Sequence, residues 1–86
     1  MKIALHKNFE KQYKKLNQKE KERFKEKRNI FLENPFHPIL NNHELHGKYK
    51  GCRSIKITAD LRVIYEIIKK DIVLFLTIDT HSNLYS

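Results

Sequence analysis

The chain has 86 residues, with 18 Lys+Arg against 10 Asp+Glu and a formal net charge of +8. A typical domain takes roughly 100–150 residues, so this is one domain spanning 1–86, and its core must be thin. A single Cys excludes an internal disulfide framework and a Cys-rich zinc site, and no apolar run approaches the ~20 residues that span a bilayer.

The N-terminal third is dense in Lys and Glu. Lys2–His6 alternates as a short first strand, with Ile3 and Leu5 on one face. Asn8 is the expected N-cap of a first helix, whose stripe is Phe9, Tyr13 and Leu16. Asn17 is the expected cap of a second helix running to about Glu33. Residues 19–28, KEKERFKEKR, carry nine charges in ten, so most of that segment must be solvated or cover other surface with its aliphatic stems. Pro35 stops the helix, because a proline disfavours the helical region in the residue before it.

The remainder reads as strands: Tyr49–Thr58, Leu61–Ile68 and the nearly continuous apolar run Ile72–Ile78, which has the composition of an interior strand buried on both faces. Thr58–Asp60 and Lys69–Asp71 are short turns, so these strands are expected as antiparallel neighbours. The pattern is β-α-α-β-β-β, an α+β fold with two N-terminal helices packed on a small antiparallel sheet.

A +8 surface favours polyanions, nucleic acid first, and the composition fits a soluble cytoplasmic protein. Lys48, Tyr49 and Lys50 lie in a basic stretch with Arg53 and Lys56; cations interleaved with an aromatic ring suit a single strand, phosphates meeting charge and a base stacking on the ring. The same pattern also describes an edge strand protected by lysines. Both glycines, Gly47 and Gly51, fall here and mark turn or bulge geometry. Arg53 has the opposite strand parity to Ser54 and Lys56 unless a bulge near Gly51 re-aims it. Five histidines offer proton-transfer groups. His43 and His46 form a metal-like pair without an evident third ligand, and His6 and His37 read as surface residues.

The segment HELHGKYKGCRSIKITADLRVIYEI, with IDTHSNLY near the C-terminus, resembles the YafQ branch of the RelE superfamily of bacterial type II toxins. The resemblance covers residues 40–86 by motif and the rest by length and element order. It implies an endoribonuclease that cleaves messenger RNA on the ribosome, and a cognate antitoxin that blocks it. His43 matches the histidine before L-x-G, Asp60 the acidic residue in the turn, and His81 the histidine of the terminal T-H-x-x-L. Tyr85 matches the aromatic four residues later, and Arg62 a strand arginine. Lys56 stands where the family has another His, Leu61 where it has an aromatic, and Cys52 where it has a Tyr-like residue; a Lys at 56 moves the site toward RelE-type chemistry, with more fixed positive charge.

RNA carries its own nucleophile, the 2′-OH, so the chemistry implied needs no metal or other cofactor. It needs a base, an acid and charge stabilisation at the phosphate. The assignments are His43 as base and His81 as acid, roles the sequence leaves interchangeable. Asp60 orients or holds a protonated His, and Arg53, Lys56 and Arg62 stabilise charge. Tyr85 stacks on a base or holds the phosphate. Two other readings compete: a ParE-like, non-catalytic toxin acting on DNA gyrase, and a plain basic RNA-binding module.

Overall fold

The computed structural model describes residues 1–85. The chain runs through β1 (Lys2–Leu5), α1 (Lys7–Lys14), α2 (Gln18–Glu33), a two-residue β2 (His43–Glu44), β3 (Arg53–Lys56), β4 (Leu61–Lys69), β5 (Ile72–Thr80) and α3 (His81–Tyr85). Single 3-10 turns occupy Pro38–Leu40 and Gly47–Tyr49. The fold is mixed α+β, as the sequence pattern predicts, with β2 and α3 added.

Local chemistry sets the helix boundaries. Asn17 caps α2 in a reciprocal box: its side chain accepts from Glu20 N at 2.8 Å, and its own N–H donates to the Glu20 carboxylate at 3.0 Å. Asn34 leaves the helix in an extended conformation directly before Pro35. Helix α1 differs from expectation, because His6 rather than Asn8 is its N-cap. The His6 N–H is the last rung to β5, bonded to Phe75 O at 2.9 Å, and its Nδ1 accepts from Asn8 N at 3.0 Å. The strand therefore hands directly to the helix, and Asn8 already lies inside it.

The sheet order is β1-β5-β4-β3-β2. Strands β2 to β5 are antiparallel neighbours, but β1 lies parallel to β5, so the sheet is mixed rather than wholly antiparallel. A parallel partner is available because the chain leaves β1 through both helices before returning to the sheet. The strand expected over Tyr49–Thr58 begins only at Arg53. Gly47 (φ 67°) and Gly51 (φ 90°) take left-handed turn conformations that a strand cannot continue through.

One sheet face packs under the helices. Phe9, Phe24, Phe31, Tyr65 and Phe75 form an aromatic cluster there, with ring centroids 5.1 Å apart for Phe31–Tyr65 and 5.6 Å for Phe31–Phe75. Edge-to-face contacts of this kind add to area burial. The opposite face carries a smaller cluster, Leu45, Cys52, Ile64 and Leu84, with Tyr49 and Leu76 packed against it. Among the described residues, no long helix covers it. Val73, Phe75 and Ile78 of β5 are buried while Leu74 and Leu76 are half-buried, so the interior strand is sealed on one face only.

Helix α1 also closes a gap in the sheet. Strand β1 ends opposite Phe75 and leaves the last part of β5 without a strand on that side. The Gln12 side-chain oxygen accepts from Ile78 N at 3.1 Å and from Thr77 Oγ1 at 2.6 Å, replacing the missing strand.

Candidate active site

The thinly covered face holds a cleft of about 410 Å³ lined by Asn41, His43, Leu45, Ser54, Arg62, His81 and Tyr85. Four residues singled out from sequence, His43, Arg62, His81 and Tyr85, meet here from three elements, β2, β4 and α3. The register explains it. His43 on β2 stands opposite Ser54 on β3, which stands opposite Ile64 on β4, two residues from Arg62 on the same face. The β5–α3 junction then swings His81 and Tyr85 across the end of β4. The His81 N–H donates to Asp60 O at 2.8 Å, which pins α3 to the β3–β4 turn.

The two histidines are held differently. Asn41 takes a left-handed conformation (φ 46°), one that Asn tolerates. Its carbonyl lies 2.8 Å from His43 Nδ1. A carbonyl oxygen only accepts, so Nδ1 carries the hydrogen and the lone pair of the neutral ring lies on Nε2. His81 is exposed, and its ring packs on Tyr85 one turn on, with centroids 4.8 Å apart. Tyr85 meets Tyr49 edge-on at 6.2 Å, and Lys48 Nζ lies 5.2 Å from the Tyr49 ring. Lys48 and Tyr49 thus extend the aromatic rim that begins at His81, though from a 3-10 turn rather than a strand. Lys50 is exposed beyond that turn.

Arg62 Nη1 donates to Thr58 O at 2.7 Å, which ties one terminal nitrogen of its guanidinium to the turn. Ser54 is fully buried, and among the described residues its Oγ has no hydrogen-bond partner, an unmet donor in the cleft floor.

Three expected members lie elsewhere. Arg53 follows the parity of the pleat: Gly51 is a turn residue, not a bulge, and does not re-aim it. Its Nε donates to Asn42 Oδ1 at 2.8 Å and its guanidinium lies 5.3 Å from the Phe36 ring, outside the cleft. Asp60 is exposed and reaches His81 through its backbone carbonyl, while its carboxylate is not part of the cleft lining. Lys56 shares the Arg62 face but lines the neighbouring pocket with Arg23 and Lys27. Sequence reasoning missed Asn41 and Ser54. The only local signal for Asn41 was an Asn pair ahead of His43, a favoured site for a left-handed residue.

Burial pushes the Cys52 thiol up, and the Glu66 carboxylate pushes it in the same direction. Among the described residues, no three His, Cys, Asp or Glu side chains gather as metal ligands. Among the same residues, no helix is long and apolar enough to cross a membrane.

This architecture is shared with a class of solved structures. YafQ from E. coli strain BL21(DE3) superposes with a TM-score of 0.80 at 24% identity, covering 98% of this chain and 97% of that one. YafQ in the E. coli DinJ–YafQ toxin–antitoxin complex gives 0.77 at 24% identity, over 98% and 96%. The archaeal RelE–RelB complex from Pyrococcus horikoshii OT3 gives 0.73 at 24% identity, over 92% of each chain. The fold is therefore that of the RelE-like toxins. The sequence narrows the class further: residues 1–86 match the family described as the bacterial toxin of type II toxin–antitoxin systems, YafQ, and the chain belongs to that family. No curated protein matches the sequence.

Proposed function

We propose that this toxin is an mRNA interferase, an endoribonuclease that cleaves messenger RNA on the ribosome by metal-free attack of the 2′-OH. The observation that carries the reading is the convergence of His43, Arg62, His81 and Tyr85 on one cleft. In this reading His43 Nε2 removes the 2′-OH proton, its ring steadied through Nδ1 by Asn41 O. His81 protonates the leaving 5′-oxygen from the opposite wall. Arg62 meets the charge that grows on the phosphoryl oxygens, and Tyr85 stacks on a base or holds the phosphate. Lys56 adds positive charge from the adjoining pocket. Asp60 acts as a positioning residue, fixing His81 through the main chain. Lys48, Tyr49 and Lys50 extend the contact to RNA or the ribosome.

The protein acts in the cytoplasm, where ribosomes are, and a +8 toxin approaches them with salt-dependent affinity. A cognate antitoxin silences it, by analogy with the DinJ–YafQ and RelE–RelB complexes. Its complementary chemistry is an acidic or amphipathic segment.

The test is a translation-coupled cleavage assay with His43→Ala and His81→Ala. Each substitution should slow cleavage by ~10²–10⁴. Cleavage unchanged in both variants removes the assignment. Loss of message on induction separates the nuclease from a gyrase poison, which would instead raise a DNA-damage signal.

A further inference from the structure

Strand β2 is only two residues long and pairs with His43↔Ser54 and Glu44↔Arg53. The next part of β3 is therefore a free edge. Ile57 N donates to Leu61 O, so by the alternation of the ladder the Lys56 backbone N–H points away from β4 toward that bare edge. A second pocket, about 330 Å³, opens there between α2 and the β3–β4 turn. Three of its lining side chains are cationic: Arg23 and Lys27, one helical turn apart on α2, and Lys56 on β3. Glu26 is the carboxylate paired with them, 3.6 Å from Arg23 and 3.7 Å from Lys27, and none of the residues lining the pocket is acidic.

Lys27 is the unusual member. Its residue is only 9% exposed, yet it is a lysine in the most solvated stretch of the sequence. Its side chain is 11% exposed and the residue lines the pocket, with Nζ 3.7 Å from the Glu26 carboxylate, beyond hydrogen-bond range. Among the described residues its one long ion pair leaves ammonium donors available to an anion in the pocket.

We infer that the Arg23–Lys27–Lys56 pocket is an anion subsite that holds an RNA phosphate neighbouring the scissile one. The inference rests on the nuclease reading for the direction of the strand. Lys56 and Arg62 are directly opposed across β3 and β4, with side chains on one face and Cα atoms about 5 Å apart. One lines this pocket and the other lines the His43–His81 cleft. No residue lines both: the pocket lies round the free edge of β3, on the α2 side, and a backbone leaving the cleft past Arg62 meets Lys56 next, at that edge. This continuity favours RNA over an acidic peptide.

The test uses the full-length, 15N-labelled protein and a tetraribonucleotide with 2′-O-methyl riboses, which cannot be cleaved. On titration, the backbone amides of Lys27 and of residues 57–59 should shift together with those around His43 and His81. The Arg23→Gln/Lys27→Met double variant keeps the buried stem but removes both charges. It should lose the first set of shifts, keep the second, and bind about tenfold more weakly, with a salt slope lower by about 0.7. Arg23→Gln alone, at a half-exposed position, should show the same trend without disturbing the core.

Parent affinity and parent salt slope in both variants overturn the inference while leaving the nuclease reading intact. Shifts of the pocket amides with poly-glutamate but not with the RNA also overturn it, and assign the pocket to an acidic protein segment. If the wild type fails to cleave mRNA yet the pocket amides still move with the RNA, the subsite stands and the nuclease reading falls.

Discussion

The most quantitative prediction concerns Gln12, which stands in for a missing strand. Replacing it with Ala removes the acceptor for Ile78 N and Thr77 Oγ1, in residues that are 1% and 7% exposed. Leaving a buried donor unmet costs about 1–3 kcal/mol. Gln12 also lines a groove of about 500 Å³, wide enough for water to replace part of the loss. The expected destabilisation is therefore about 1–2 kcal/mol. For a domain of this size each kcal/mol moves Tm by about 4–8 °C, so the melt should fall by about 4–16 °C. Urea unfolding should show a lower midpoint at an unchanged m-value. Gln12→Glu refines the argument. Its carboxylate keeps the acceptor but replaces an Nε2 that lies 3.4 Å from Asp79 Oδ2. Two facing carboxylates raise their folded-state pKa, so the folded protein binds more protons than the unfolded chain. The Glu variant should then be most stable at acid pH and lose stability as pH rises through that raised value. A Gln12→Ala protein within about 0.3 kcal/mol of the parent, or a Gln12→Glu protein with no such pH dependence, refutes the reasoning.

Three further outcomes follow from particular contacts. Asn17→Ala opens the capping box of α2 and should cost about 1 kcal/mol by thermal melting, with little change in cleavage rate. Arg62→Gln should abolish most cleavage, whereas Arg53→Gln, bonded to Asn42 outside the cleft, should lower stability and leave the rate within a few-fold. The Cys52 thiol, buried and held protonated, should resist iodoacetamide at neutral pH and react only on unfolding, as followed by mass spectrometry.

The comparison of expectation with structure separates two kinds of residue. Asn17, Glu20 and Pro35 act on neighbours a few positions away, and their effect on α2 is visible in the sequence. His43, Arg62, His81 and Tyr85 were recognised through motif order, and the structure brings all four to one cleft. Asp60 is assigned through the same motif order, and Arg53 through the basic stretch it lies in. In the fold, pleat parity turns Arg53 away, and Asp60 contributes a carbonyl where a carboxylate was expected. Gln12 and Ser54 carried no signal at all, because the first bonds to residues 65 and 66 positions on and the second matters only for what it faces.

By itself the sequence determined the two long helices and four of the five strands, the cap and stop of the second helix, the excess of positive charge and the histidine motifs. Each of these is set by short-range spacing or by composition. Only the tertiary structure decided that β1 joins the sheet in parallel, that one sheet face stays open, and that the basic residues divide between two adjoining pockets. Those outcomes depend on which strands pair and where a pairing stops, and register is a property of two distant segments that neither one carries alone.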